Sequence, residues 1–301
     1  MFDIKNILTI LSQHPNEGAD FQPSDVHLST SFHSPEKEAQ EEYTEVDLST
    51  EMTLRPIKPE YPRNVQVIAI DSTSFPLGEI PDGLVCATRA SVIVKPSNAA
   101  TQQLQSYGPF ITAITNQNKD HLYKQLYTLV CNSALDLDAP DVGKMMDRIR
   151  NLLERYLQLM IVRNVKDSLI LLDGSLVGAT VANPMSLIRE ILDVGAANNN
   201  CIVAISKSTT LSLKGSRRNI LSLLDGVEGP CYVGGIKKMI EQAERKYVGD
   251  IYVVKLTPYG EPFRLDIATN APLPQSHILN MVAGLAGDYG YPEELKLAHS
   301  T

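Results

Sequence analysis

Residues 168–176, Ser-Leu-Ile-Leu-Leu-Asp-Gly-Ser-Leu, constrain the fold more than any other stretch of the chain. The apolar run from Leu169 to Leu172 reads as a buried strand. Asp173 closes it, and Gly174 and Ser175 turn the chain out of the sheet. A carboxylate at the carboxyl end of a buried strand is costly unless a metal, a base or a hydrogen-bond donor meets it. Asp before Gly also opens turns, so a plain turn residue is the competing reading of Asp173.

The pattern occurs twice. Val65 to Ile70 is a strand that ends on a second acid, Asp71, with Ser72-Thr73-Ser74 after it. Leu84–Val94 and Phe110–Ile114 follow as strands, the latter reached through Tyr107-Gly108-Pro109, and His121–Asn132 reads as a short helix. Asp141–Arg163 is the clearest helix: Val142, Met145/Met146, Ile149, Leu152/Leu153, Tyr156/Leu157 and Met160/Ile161 make one apolar stripe. After the strand at Leu169 come a helix near Met185–Ala197 and a strand at Cys201–Ile205. Arg217–Leu224 and Ile236–Lys246 are helical candidates. A strand pair, Ile251–Leu256 and Phe263–Ile267, and a helix over His277–Ala286 complete the order.

Three strands, helices, strand, helix, strand is the order of an α/β fold with a ribonuclease H-like mixed sheet flanked by helices. In that topology the first strand lies beside the fourth, about 4.8 Å away, and the two run parallel. Asp71 and Asp173 then project into one crevice at the carboxyl ends of their strands, where open α/β sheets bind ligands. Two carboxylates so close repel, and a divalent metal relieves the repulsion. Glu154 lies beside the apolar stripe of the long helix. Spacing alone leaves two readings for it: reaching toward the aspartates, or pairing with Arg150 four residues earlier on an exposed face.

Charge divides the chain. Residues 1–62 hold 12 acidic and 4 basic side chains, which accounts for the whole net charge of -8. They read as an acidic N-terminal arm, extended or partly disordered, after a short amphipathic helix over 2–12. The arm is either a solvated linker or a segment that covers the protein itself or binds a partner. Residues 63–301 are neutral and form the predicted ribonuclease H-like domain. Lys207, just after a buried strand, leads a cationic run of Lys214, Arg217 and Arg218, suited to holding phosphate or else a solvated face.

Other chemistries are excluded by what is missing. No phosphate loop, dinucleotide fingerprint or Gly-x-Ser-x-Gly elbow occurs. The four cysteines, Cys86, Cys131, Cys201 and Cys231, lack zinc-ligand spacing and read as reduced thiols. No membrane-length apolar stretch is present, and the first residues lack the layout of a signal peptide, so the expected location is the cytoplasm.

Ala69-Ile-Asp-Ser72, Leu171-Leu-Asp-Gly-Ser-Leu176, Ile205-Ser-Lys-Ser208, and Gly290-Tyr-Pro292 with Ala298-His299 together resemble the NurA family of DNA-repair nucleases, from about Val65 to the end. The resemblance implies a ribonuclease H-like core and Mn²⁺-dependent cleavage of DNA (Mg²⁺ as the other candidate), by 5′–3′ exonuclease and single-strand endonuclease action. It also implies a homodimer that works with a hexameric HerA-type translocase in DNA end resection and double-strand break repair. Carried over by position, Asp71, Glu154, Asp173 and His299 are metal ligands, and Tyr291 is a catalytic residue beside them. Lys207 becomes a phosphate contact. Two departures are visible: Ser72-Thr73-Ser74 stands where the family usually has Gly-Ser after the first acid, and the chain ends two residues after His299. They give weight to an alternative, a catalytically weakened nuclease-like dimeric partner of a DNA motor. An RNA-cleaving or guide-associated enzyme of the same fold is a further possibility.

Overall fold

The computed structural model describes residues 5–13, 44–48, 52–134, 137–180, 183–216 and 218–300. Most of the predicted acidic arm, and Arg217, lie outside the described residues. In chain order the elements are α1 (Lys5–Gln13), β1 (Thr44–Val46), β2 (Leu54–Pro56), β3 (Gln66–Ile80), β4 (Gly83–Lys95), β5 (Gln103–Thr115), α2 (Lys119–Cys131) and α3 (Val142–Asn164). They continue with β6 (Ser168–Asp173), α4 (Met185–Ala197), β7 (Cys201–Ser206), β8 (Leu211–Leu213), β9 (Cys231–Val233), β10 (Gly249–Lys255), β11 (Pro262–Ala268), α5 (Gln275–Gly284) and α6 (Glu293–Ser300).

Nine strands form one mixed sheet in the order β2-β9-β10-β11-β7-β6-β3-β4-β5, and β1 pairs separately with β8. As the sequence predicts, the first long strand lies beside the strand at Leu169. β3 pairs in parallel with β6, Ile70 opposite Leu172, and β6 pairs in parallel with β7. β10 and β11 form an antiparallel pair that joins this core through β7. Two short strands from the predicted arm take part: β1 runs parallel to β8, and β2 pairs with β9.

The chain separates into two compact units, and the division passes through β3, β4, β5 and α3. One unit contains α1, residues Asp71–Ser91 and Gln105–Ile161. In it α3 buries Met145, Ile149, Leu152, Leu153 and Leu157, the stripe read from the sequence. The other contains residues Gln40–Ile70, Val92–Leu104 and Val162–Thr301. Its strands feed two apolar clusters by simple alternation. Tyr252 and Val254 of β10 enter a cluster with Leu169, Leu171, Val203, Ile205 and the α5–α6 residues Ile278, Val282, Leu295 and Ala298. Ile251 and Val253 enter the other, with Leu211, Ile220, Leu224 and Ile236. Full burial of each such side chain contributes about 1.5–3 kcal/mol, and that is the main reason the central strands hold their register.

Several boundaries differ from the sequence reading. The first strand does not stop at Asp71 but continues through Pro76 and Gly78 to Ile80; Thr73 and Phe75 favour the extended backbone beyond the acid. β5 starts at Gln103 and runs through a cis Gly108–Pro109 bond rather than beginning after it. The two expected helices at 217–224 and 236–246 are only 3₁₀ turns, Ile220–Leu224 and then Ile236–Met239 and Ala243–Arg245. Gln242 between the last two is left-handed, with φ 54°, which ends one turn before the other starts. Strands β1, β2, β8 and β9 were not foreseen, since three residues are too few to show a period. All four cysteines are free, and burial pushes the Cys86 thiol up to about 12. Among the described residues no helix is long and apolar enough to cross a membrane.

Candidate metal centre

The β3–β6 register places the acids. Ile70 is opposite Leu172, so the next residues along the two parallel strands are Asp71 and Asp173. Both share strand parity with residues of the α5–α6 cluster, Val67 and Ala69 in one case and Leu169 and Leu171 in the other. Their side chains therefore belong to the face that α6 covers. Leu295 and Ala298 anchor α6 in that cluster and leave His299 beside them on the last turn. The outcome is convergence: Asp71, Asp173 and His299 offer ligand atoms that all lie within 4.8 Å of one another. Asp71 is buried, Asp173 half-buried and His299 exposed.

Tyr291 is fixed by the turn before it and reaches Asp173. Gly290, at φ +83°, turns the chain, and the Gly287 amide donates to the Tyr291 carbonyl at 3.0 Å. The ring packs against Phe263 at 5.5 Å, and the hydroxyl donates to Asp173 Oδ1 at 3.0 Å. Lys207, directly after β7, holds its ammonium 4.3 Å from the centre of that ring. A cation over a tyrosine face is attractive by roughly 0.5–2 kcal/mol. Lys214 and Arg218 are elsewhere engaged, with Asp47 at 2.7 Å and Asp225 at 3.7 Å.

Glu154 is buried, not on an open helix face, and is absent from the three-residue group. Its Oε2 accepts from the Ser72 hydroxyl at 2.5 Å, its Oε1 from Gln158 Nε2 at 2.9 Å, and Arg150 stands 3.9 Å away. Strand alternation gives the physical reason. Ser72, one residue beyond Asp71, points to the opposite face of the pleat, and Glu154 has followed the serine rather than the aspartate. The Arg150 pair read from spacing is present, but it is the longest of these contacts.

Burial, above all, raises the Glu154 carboxyl from its ordinary value; Arg155, Arg150 and the Ser72 hydroxyl oppose the rise and Asp71 adds to it. The folded protein thus binds this proton more tightly than the unfolded chain. Stability contributed by the protonated group is complete below the usual glutamate range and is lost as pH climbs through the raised value. Glu154→Gln removes that slope. In metal-free protein its melting temperature is expected to equal or exceed wild type at neutral pH and to converge with it in acid. A thermal scan across pH checks this, and a lower neutral-pH melting point for the variant contradicts it.

The sequence reading missed Arg264 and Asp266, both fully buried on β11. Arg264 Nε and Nη2 donate to the two carboxylate oxygens of Asp266 at 2.8 Å each, a planar fork, and the guanidinium lies 5.2 Å from the Tyr247 ring centre. Asp266 Oδ2 also accepts from the Leu176 amide at 2.9 Å, which fixes the turn that follows Asp173. The available signal was opposite charges two apart in an otherwise apolar strand, where they share a face.

A buried carboxylate beside a second one and an imidazole is a donor set that fits Mn²⁺ or Mg²⁺: the oxygens suit both ions, the nitrogen leans to manganese. No curated protein matches the chain significantly in sequence. Among solved structures, the NurA nuclease from Sulfolobus solfataricus is 14% identical, with a TM-score of 0.50, over 83% of this chain and 81% of that one. A structure described as NurA with manganese is 13% identical with a TM-score of 0.44, over 81% of this chain and 86% of that one. The first likeness bears on the fold. The NurA domain profile matches residues 65–301, which contain every residue of the cluster, and the chain belongs to the NurA family.

Proposed function

We propose that this chain is a divalent-metal-dependent deoxyribonuclease. The observation that carries the reading is the meeting of Asp71, Asp173 and His299, residues from two strands and a distant helix, around one point. Asp71 and Asp173 would bind the ion through carboxylate oxygens and His299 through a ring nitrogen. Glu154, held by Ser72 and Gln158 but within electrostatic reach of Asp71, would add a fourth ligand once released from Ser72. When bound, one or two ions supply a nucleophilic water and neutralise charge on the departing oxygen. Tyr291 keeps Asp173 aimed through its hydroxyl, and Lys207, steadied on the Tyr291 ring, offers its ammonium to a phosphate. Lys214, Arg217 and Arg218 would extend the phosphate track, since exposed ion pairs such as Lys214–Asp47 are weak and yield to a polyanion.

Family membership supports the finer reading: 5′–3′ exonuclease and single-strand endonuclease action on DNA, a homodimer, and work with a HerA-type translocase in end resection and break repair. Co-purification with such a translocase and the mass in solution test the assembly. The test of the chemistry is cleavage of single- and double-stranded DNA with Mn²⁺ or Mg²⁺, abolished by chelation and restored by the ion. Tyr291→Phe keeps the ring and removes the hydroxyl that donates to Asp173, so a 10- to 100-fold fall in cleavage is expected, roughly the effect of losing a partner of a metal ligand. An unchanged rate removes Tyr291 from the mechanism. The Ser72 grip on Glu154 favours the second reading, a weakened nuclease-like partner of a DNA motor. Metal binding without any cleavage would select it.

A further inference from the structure

Two tyrosines stand out on the surface: Tyr259 is 89% exposed and Tyr289 is 80% exposed. They belong to two different loops, the β10–β11 turn and the segment before Tyr291, and these loops touch. A Cβ placed on Gly260 would lie 3.0 Å from both the Gly290 Cα and the Tyr289 carbonyl oxygen, and one on Gly290 would lie 3.3 Å from the Gly260 Cα. The approach requires glycine on both sides, and each tyrosine is the residue just before one of these glycines. Tyr289 is two residues from Tyr291, so their Cα atoms are at most about 7 Å apart. Tyr291 in turn bonds Asp173. A nearly bare aromatic costs apolar exposure that the core has no use for, and two of them are presented on touching loops, one of which leads directly into Tyr291.

We propose that Tyr259 and Tyr289 are a stacking platform for unpaired bases of the nucleic-acid strand entering the metal centre, an inference that rests on the nuclease reading. Every base has a π-face, so such a platform holds a single strand without reading its sequence, whereas a duplex keeps its bases stacked on one another. The neighbouring side chains say which part of the strand meets the tips. Glu261 and Asp288 are exposed on the same two loops and repel phosphate. The cation Lys207 lies on the Tyr291 side instead. Bases therefore go to the tyrosine tips and phosphates to the lysine.

The test compares wild type, Tyr259→Ala/Tyr289→Ala and Tyr259→Phe/Tyr289→Phe, by fluorescence anisotropy with oligothymidylate and with an abasic strand of equal length, in metal-free buffer. The alanine pair is expected to weaken oligothymidylate binding by roughly 5- to 150-fold, the range for loss of one stacked base. The phenylalanine pair keeps the affinity, abasic binding is indifferent to all three, and the salt dependence is unchanged because no phosphate contact is lost. Failure of wild type to prefer bases over abasic sugar overturns the proposal, as does an alanine pair that binds normally or loses both strands alike. An alanine pair whose mass in solution falls assigns the tyrosines to a subunit interface and also overturns it. Mn²⁺-dependent cleavage by wild type is scored separately: a base-binding protein that never cuts sinks the nuclease reading alone, and a cutting enzyme indifferent to the alanines sinks the platform alone.

Discussion

Asp173→Asn is expected to remove metal-dependent DNA cleavage, with a fall of roughly a hundred- to a thousandfold or more, while the protein stays folded. The size follows from the several kcal/mol of charge stabilisation that a catalytic ion supplies, at a factor of ten per 1.36 kcal/mol. Asp173 is tied to the other groups of the site. It offers a ligand atom with Asp71 and His299 and accepts the Tyr291 hydroxyl. An amide retains an acceptor for that hydroxyl but gives up the charge the ion needs. Without metal the substitution also relieves repulsion with Asp71, so the melting temperature of the variant should match or exceed wild type. Adding Mn²⁺ should raise the melting temperature of wild type far more than that of the variant. Cleavage at a wild-type rate would end the assignment, and an unfolded variant would show that the aspartate is structural.

Arg264→Met is expected to have the largest effect on stability of any single substitution here, about 3–5 kcal/mol, because it strands the buried Asp266 carboxylate without its guanidinium. Both residues are essentially sealed from water, at 2% and 1% side-chain exposure. Against a typical domain stability of about 5–15 kcal/mol that loss is severe. The double variant Arg264→Met/Asp266→Leu should recover much of it, since replacing both charges by apolar groups leaves no buried charge unpaired. Some deficit should persist, because the Leu176 amide loses its acceptor and the turn beyond Asp173 loosens. Urea unfolding of the three proteins measures these differences. A single variant within about 1 kcal/mol of wild type would mean that water reaches the pair.

Much of this architecture is legible in the sequence. Continuous apolar runs ending in acids at Ile70–Asp71 and Leu172–Asp173, together with the order of elements between them, were enough to set two carboxylates on neighbouring parallel strands. The α3 stripe was equally plain, since a 23-residue helix repeats its period many times. Three-residue strands such as β8 and β9 left no such trace. Their existence depends on partners that lie far along the chain, as with Thr44 and Leu211.

The sequence by itself determined the two central strands, their buried character and the acid that follows each apolar run, because hydrophobic period and composition act locally and repeat. Tertiary structure alone decided that His299 arrives at those acids, that Glu154 turns to Ser72 instead, and that Arg264 finds Asp266 beneath the Leu176 turn. Each of those outcomes depends on which face of a pleat a side chain occupies and on what a distant segment brings to it. One residue of offset reverses the face, and no local pattern in the chain records the partner.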